Sequence, residues 1–127
     1  SVDAQTVDAP PGTICFHIGE MGVMTQCSAN GRAWARVCTG PCTDPGAQCQ
    51  WYSVCDYDRV NRECAACIDG FADGSYFVGG FIDTDGNADP NNPAPDSGDI
   101  SAAQCVPVTV TNGGTAGANV TTQTCVP

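Results

Sequence analysis

The sequence predicts a small, disulfide-rich, mainly β domain, in which short antiparallel strands and hairpins are joined by long loops. The first observation is the ten cysteines among 127 residues, because disulfides hold together chains whose apolar core is thin. The second is the composition: there is no leucine and no lysine, but there are 15 glycines and 9 prolines, which disfavours helices. Threonine and valine, which favour strands, take their place.

Short runs bounded by glycine, proline, asparagine or aspartate predict the strands of the first half. These runs are residues 13–18, 22–27, 33–38 and 50–55. An aromatic run at 75–82 predicts a buried strand, and the asparagine-, aspartate- and proline-rich stretch 83–99 predicts a long polar loop. Valines at every second position of 106–110, followed by turn residues at 112–114, predict a terminal hairpin.

The spacing of the cysteines predicts the organisation of the chain. Residues 1–14 contain no cysteine and are expected to form an extended N-terminal arm. Residues 15–127 are expected to form one disulfide-stapled domain. Within it, residues 15–67 are the cysteine-dense core, 68–104 hold the buried strand and the polar loop, and 105–127 form the hairpin.

The even number of cysteines allows five disulfides, with roughly 945 possible pairings among which sequence alone does not choose. The ten are Cys15, Cys27, Cys38, Cys42, Cys49, Cys55, Cys64, Cys67, Cys105 and Cys125. A hairpin centred on Thr115 would place Cys105 opposite Cys125, so a bond between them is expected. A similar symmetry about Met21 would pair Cys15 with Cys27.

Two other interpretations of the cysteines are weighed against oxidation. Cys38 with Cys42 and Cys64 with Cys67 have the spacing of a zinc site. Cys64 and Cys67 also have the spacing of a redox pair, but the surrounding sequence lacks the strand and helix that such a motif requires. Oxidation explains all ten cysteines together and predicts an extracellular, secreted protein.

The charge excludes several partners. The formal net charge of −10 would repel nucleic acid and anionic lipid. No apolar run reaches the ~18 residues of a membrane-spanning helix, so no membrane insertion is expected. The absence of an initial methionine fits a mature product after removal of a secretion signal, and it fits a trimmed chain equally well.

A short segment of the cysteine-dense core has a recognisable pattern. Residues 64–71, Cys-Ala-Ala-Cys-Ile-Asp-Gly-Phe, resemble the closing part of epidermal-growth-factor-like and related cysteine-rich extracellular repeats. In those repeats one residue usually separates the paired cysteines and another cysteine follows soon after the aromatic residue, whereas here the next is Cys105. The resemblance implies a spacer, adhesion or ligand-binding unit rather than a catalyst.

The polar loop begins with a possible calcium-binding pattern. Asp83, Asp85 and Asn87 occupy positions 1, 3 and 5, and Asp89 at position 7 can offer its carbonyl oxygen, which is the alternation that lets oxygen atoms converge on one ion. The alternative is an ordinary solvated loop. The pattern resembles the aspartate loops of thrombospondin type 3 and dockerin modules, and the resemblance implies calcium as a cofactor.

The loop departs from the usual calcium pattern at two positions. Ala88 stands where the sharp turn usually requires glycine, and position 12 is Ala94. The bidentate carboxylate must therefore come from elsewhere, with Asp96 and Asp99 as the candidates. The prolines at residues 90, 93 and 95 exclude a loop flanked by helices.

Residue types that carry catalysis are scarce. The single histidine, His17, lies in an alternating apolar run and is expected to be a packed or surface strand residue rather than a base. Without lysine no Schiff base can form. Paired aspartates at glycosidase spacing remain a weaker alternative. The sequence therefore predicts no catalytic residues and no enzyme.

Two further features bear on binding. The aromatic residues could form a stacking platform for sugars, but core filling is the simpler interpretation in a chain so poor in aliphatic residues. They are Trp34, Trp51, Tyr52, Tyr57, Tyr76 and Phe77. Asn119 begins an Asn-Val-Thr acceptor sequence for glycosylation.

These observations favour an extracellular, non-catalytic structural module of a cell-surface filament, matrix or adhesive layer. We expect it to self-associate into a homopolymer by strand addition, with the extended arm of one copy pairing with an edge strand of the next. The alternative is a secreted glycan- or protein-binding module, a class that includes inhibitors and toxin-like effectors.

Overall fold

All regular structure in the described part of the chain is β-strand, which confirms the predicted fold class. The structure, a computed structural model, describes residues 10–20, 30–58, 64–88, 93–96, 99–102, 105–122 and 124–125. In chain order the strands are β1 (Gly12–Glu20), β2 (Gly31–Cys38), β3 (Cys49–Tyr57), β4 (Ala65–Phe71), β5 (Gly74–Asp83), β6 (Ile100–Ser101), β7 (Val106–Val110), β8 (Thr115–Thr122) and β9 (Thr124–Cys125). These residues include no helix long and apolar enough to cross a membrane.

The strands form two sheets. Sheet A has the order β4-β1-β8, in which β1 runs antiparallel to β4 and parallel to β8. Sheet B has the order β3-β2-β5, and the far side of β5 pairs with β7 along its first half and with β6 near its end. Strand β9 pairs with β6. Sheet B is therefore antiparallel throughout the part of the chain that is described.

One apolar core lies between the sheets. Alternate residues of each strand point into it, as the period of two predicts. Those with no more than a few per cent of their surface exposed include Ile14, Phe16 and Ile18 of β1, Ala33, Ala35 and Val37 of β2, Val78 and Ile82 of β5, Val108 and Val110 of β7, and Ala118 and Val120 of β8. Each sheet therefore has an inner face toward this core and an outer face away from it.

The predicted terminal hairpin is wrong, although its turn is present. Asn112 and Gly113 have φ values of 55° and 66°, and the Gly114 N–H donates to the Thr111 carbonyl at 2.9 Å, as in a type I′ turn. The strands on either side enter different sheets, however: β7 pairs with β5 and β8 pairs with β1. Both strands thereby bury their apolar face against the same core from opposite sides.

Four disulfides join the eight cysteines whose side chains are described. The pairs are Cys15–Cys67, Cys38–Cys49, Cys42–Cys105 and Cys55–Cys64. Both predicted pairs are therefore wrong. Antiparallel pairing of β1 with β4 places Cys15 opposite Cys67. Cys105 is bonded to Cys42, in the loop after β2, and not to Cys125.

These pairings also decide between the interpretations of the cysteines. Every thiol assigned to the zinc or redox alternative is bonded to a cysteine outside its proposed pair, so both alternatives are wrong. Several disulfides in one small domain indicate an oxidising, extracellular environment. Cys27 and the side chain of Cys125 lie outside the described residues.

One strand boundary and one whole strand of sheet A differ from the sequence prediction. Strand β1 begins at Gly12, so residues 12–14 belong to the middle strand of sheet A rather than to an arm. Strand β4 was not predicted, because its residues have neither a strong alternation nor a β-branched run. Residues 1–9 and the predicted strand 22–27 lie outside the described part of the chain.

Candidate metal centre

A row of charged residues crosses the outer face of sheet B at one end. Arg32 of β2 lies opposite Asp56 of β3 on one side and opposite Asp83 of β5 on the other. The Arg32 guanidinium turns toward β3: Nη1 is 3.0 Å from Asp56 Oδ1, and Nε donates to Ser53 Oγ at 2.5 Å. Asp83 is therefore left to interact with the loop that follows it.

Four carboxylates converge beside this row, and we call them the Asp cluster. Asp83 ends β5, Asp99 immediately precedes β6, and Asp85 and Asp96 lie in the loop between them. One carboxylate oxygen from each residue lies within 4.8 Å of the other three. The cluster thus closes the two ends of the loop 84–99 against each other.

Asp83 contributes a buried oxygen that has no hydrogen-bond partner among the described residues. Its side chain is only 3% exposed. One oxygen, Oδ2, accepts the Ala88 N–H at 3.1 Å, whereas Oδ1 is buried and accepts no hydrogen bond from the residues that the structure describes. A buried carboxylate oxygen without a donor is costly, and a bound cation is the usual way to satisfy it.

Asp99 is fully buried and organises the loop from within. Its Oδ1 accepts the Thr84 N–H at 3.0 Å, and its Oδ2 accepts the Asp96 N–H at 3.0 Å. Burial raises the pKa of Asp99 to about 6 despite these donors. The pKa of Asp85 is raised as well, mainly by its side-chain hydrogen bond with Asp83. Asp85 and Asp99 therefore hold a proton more tightly than an isolated aspartate does.

The predicted calcium ligands are placed as follows. Asp83 and Asp85 are in the cluster, together with Asp96 and Asp99, the two residues expected to replace the missing position-12 carboxylate. Asn87 instead supports a ligand, because its Nδ2 donates to Asp96 Oδ2 at 2.6 Å. Asp89 lies outside the described residues.

The turn within this loop occurs earlier than in the usual calcium pattern. Gly86, at position 4, has a φ of 69°, a left-handed conformation that glycine adopts without strain. The Asn87 N–H then points back to Asp85 Oδ1 at 3.4 Å. Glycine at position 4 supplies this turn, so Ala88 is tolerated at position 6.

The chemistry of the Asp cluster fits a hard divalent cation. Four carboxylate oxygens suit calcium, magnesium or manganese, whereas zinc sites usually include nitrogen or sulfur ligands. Positive charge at this point would pair with Asp83 Oδ1, which has no donor within the described ranges, and would lower the raised pKa values of Asp85 and Asp99. The described residues can therefore hold a metal ion here.

The other candidate residues do not come together into a site. His17 and Asn119 are exposed on the outer face of sheet A, where they lie opposite each other on β1 and β8. The aromatic residues are divided: Trp34 and Trp51 lie on the outer face of sheet B, whereas Tyr52 stacks with Phe16 in the core. A single aromatic platform is therefore absent among the residues described.

The Asp cluster is the only convergence of this kind in the described part of the chain. No second group of three or more histidine, cysteine, aspartate or glutamate side chains brings its ligand atoms together among those residues. Comparisons of the chain with protein-family models, curated proteins and solved structures found no match.

Proposed function

We propose that the chain is a secreted, non-catalytic structural module that binds one calcium ion at the Asp cluster and assembles into a cell-surface filament, matrix or adhesive layer. The observation that carries the calcium proposal is the position of Asp83 Oδ1, a buried oxygen that lies among three other carboxylates and has no hydrogen-bond donor in the described part of the chain. Disulfides that stabilise a thin core support a role outside the cell.

Calcium is preferred to magnesium because of how the cluster is built. Calcium accepts six to eight oxygen ligands in flexible geometry, whereas magnesium requires a near-ideal octahedron and retains several waters. The cluster combines two buried carboxylates with two exposed ones on a loop, and such a mixture adapts more easily to the flexible ion. Extracellular calcium modules typically bind in the range of about 10⁻⁴ to 10⁻³ M.

The ion would have a structural role. By bridging Asp83 at the end of β5 and Asp99 before β6, it would close the loop between these strands and offset the repulsion among four carboxylates. Because β6 pairs with both β5 and β9, this closure would also secure the last described strand of sheet B.

Two features support a non-catalytic role. The only histidine, His17, is exposed on an open strand face, and the chain has no lysine. The Asp cluster is also engaged in holding its own loop, because Asp99 accepts two backbone N–H groups through its two oxygens. A carboxylate used in this way positions backbone and metal rather than substrate.

The outer strand β8 supports assembly by strand addition. Within the described residues it has a ladder on one side only, with β1. Its sequence, Thr-Ala-Gly-Ala-Asn-Val-Thr-Thr, contains no charged residue and no proline, the usual protections of an edge strand. We assign the segment that precedes β1, residues 1–9, as the donor to the β8 edge of another copy.

Calcium titration of the oxidised full chain tests the metal proposal. After dialysis against EDTA, calorimetry should detect one calcium site, and millimolar calcium should raise Tm. Asp83→Asn should abolish both effects. Asp56→Asn is the matched control, because Asp56 lies in the same charged row but outside the cluster. No heat and no change in Tm at millimolar calcium would refute the proposal.

A pair of glycine variants tests the assembly proposal. Gly117 of β8 and Gly19 of β1 both have open space where a Cβ would be, so lysine fits at either position. Electron microscopy and sedimentation should show fibres for the unmodified chain and for Gly19→Lys, and monomers for Gly117→Lys and for a chain lacking residues 1–9. An unmodified chain that stays monomeric at high concentration in calcium would contradict assembly by strand addition.

A further inference from the structure

Arg36 lines a groove on the outer face of sheet B, separate from the Asp cluster. The groove has a volume of about 340 Å³, and its lining includes Thr43, Phe77 and the Cys42–Cys105 disulfide. We propose that this groove binds a carboxylate-bearing saccharide unit, such as a uronic acid, and that Arg36 receives the carboxylate. The secreted-module proposal does not depend on it.

The Arg36 guanidinium has no carboxylate partner among the residues described. Arg32, four residues earlier on the same strand face, forms an ion pair with Asp56 at 3.0 Å, but no such pair is formed by Arg36. Its Cζ instead lies 5.6 Å from the centre of the Trp51 ring. In a chain with a net charge of −10, an arginine that faces a groove without an acidic partner is available to an anionic ligand.

The surroundings hold this guanidinium in place. The Trp51 ring packs edge-on against Phe81 at 5.4 Å, and Phe81 is fully buried, so the surface beneath Arg36 is rigid. A cation–π contact with a fixed ring reduces the freedom of the arginine side chain. The planar donor fork is therefore ordered before a ligand arrives, which lowers the entropic cost of binding.

Glycine at position 79 brings the disulfide into the groove wall. Gly79 of β5 lies opposite Arg36, and a Cβ there would be 2.6 Å from Cys105 Sγ. The absence of a side chain lets the Cys42–Cys105 disulfide lie beside the arginine. The groove is thus covalently fixed on one side and bounded by sheet B on the other.

The acidic residues of the chain do not prevent anion binding at this position. Among the described residues, Asp44 directly follows the lining residue Thr43, but its side chain is exposed to solvent and its Oδ1 accepts the Gly46 N–H at 2.9 Å. The row of carboxylates at Arg32 lies four residues along β2, which corresponds to about 13 Å at roughly 3.3 Å per residue. The Debye length at physiological ionic strength is about 8 Å. The repulsion from that row is therefore largely screened, while a carboxylate in contact with Arg36 is not.

The groove lining favours a saccharide among anionic ligands. A uronic acid offers a carboxylate to Arg36, an apolar ring face to Phe77 and hydroxyl groups to Thr43. The volume lies in the range of about 300–1,000 Å³ that is typical of small-molecule sites. An acidic peptide offers the carboxylate but not the rigid apolar ring face, so we assign the site to the sugar.

Two methyl glycosides that differ at one group test the proposal. Methyl β-D-glucuronide carries a carboxylate where methyl β-D-glucoside carries a hydroxymethyl group. Titration followed by Trp fluorescence and by saturation-transfer NMR should show binding of the glucuronide, with the glucoside and the Arg36→Gln variant each weaker by about tenfold or more. Arg32→Gln should retain full affinity, because Arg32 lies outside the groove.

Several results would overturn the assignment. Equal affinity for the two glycosides, or unchanged binding by an Arg36→Gln variant with a normal Tm, would exclude the role of Arg36. Equal or tighter binding of an acetylated, amidated Glu-Glu dipeptide would replace the saccharide with an acidic peptide. Absence of glucuronide binding to the folded, oxidised chain would exclude the site. Asp83→Asn should leave glucuronide binding intact, which separates this proposal from the calcium proposal.

Discussion

The outer faces of the two sheets differ in what covers them. On sheet A the side chains that point away from the core are small or polar and exposed, as at His17, Asn119 and Thr121. On sheet B the corresponding positions include the large rings of Trp34, Trp51 and Phe81, and Phe81 is fully buried although it points away from the main core. Sheet B therefore has packed layers on both faces, whereas sheet A has one.

This difference explains where the candidate sites lie. The Asp cluster and the Arg36 groove both adjoin the outer face of sheet B. Backbone N–H groups hold the carboxylates of the cluster, whereas the Cys42–Cys105 disulfide and the Trp51 ring hold the surroundings of Arg36. A binding group is effective when its neighbours hold it in place before the ligand arrives. Among the described residues of sheet A, the Cys15–Cys67 disulfide offers comparable support.

The largest effect should come from truncating the outer layer of sheet B. Phe81→Ala should lower the free energy of unfolding by about 4 kcal/mol, the cost typical of a core phenylalanine, because the ring is fully buried and packs against Trp51. Urea denaturation measures the effect, and Phe81→Leu should cost markedly less. A loss below about 1 kcal/mol would mean that the outer layer is not a packed one.

The Cys15–Cys67 disulfide, which lies on the outer face of sheet A, should have the next largest effect. Replacing both Cys15 and Cys67 with alanine opens a loop with a sequence separation of 52. We expect a loss of about 3 kcal/mol, somewhat below the value for such a loop alone, because Cys38–Cys49 and Cys55–Cys64 already shorten it. Denaturation of the double variant, with its remaining disulfides verified by mass spectrometry, gives the value. An unchanged midpoint would show that sheet A does not depend on this bridge.

The Asp cluster should make sheet B sensitive to pH in the absence of calcium. The pKa of Asp99 is raised to about 6 in the folded protein, whereas the pKa of an aspartate in an unfolded chain is about 3.9. The folded state therefore binds more protons between these values. The stabilisation from Asp99 is complete below about pH 4 and is lost as pH rises through about 6.

Thermal melts in EDTA test this dependence. Between pH 4 and 7, Tm of the unmodified chain should fall relative to that of Asp99→Asn, which cannot titrate. In millimolar calcium the relative fall should disappear, because the ion stabilises the charged form. Parallel curves for the two chains in EDTA would show that Asp99 does not titrate differently on folding.

The smallest effects should follow substitutions on the open face of sheet A. His17→Ala and Thr121→Ala should each change the free energy of unfolding by less than about 0.5 kcal/mol, because both side chains are exposed on that face. The same urea measurements used for Phe81→Ala provide the values. A loss of 2 kcal/mol or more at either position would show that this face is covered as well.

Sequence reasoning succeeded where local pattern decides structure. The strand class followed from composition, and the runs at 33–38, 50–55 and 75–82 lie within β2, β3 and β5. The alternation of Asp83 and Asp85 located half of the Asp cluster. The missing position-12 carboxylate pointed to Asp96 and Asp99, because a calcium loop needs a ligand that returns to its start.

It failed where partners are distant in the chain. The symmetric pairing of Cys15 with Cys27 assumed a local hairpin, but the observed partner is Cys67 on another strand. The contact of Arg36 with Trp51 was missed for the same reason, since it arises only when β2 and β3 pair. No spacing rule within a single segment encodes a cross-strand neighbour.

The parallel pairing of β1 with β8 has a consequence for how the protein is made. It joins Thr13 to Thr115, segments about 100 residues apart, so sheet A stays incomplete until the later segment has left the ribosome or the translocation channel. Before that moment the apolar residues of β1 have only β4 as a ladder partner in this sheet. Sheet A must therefore wait, partly folded, until the roughly 100 residues between these two strands have been delivered, and chaperones have that interval in which to act.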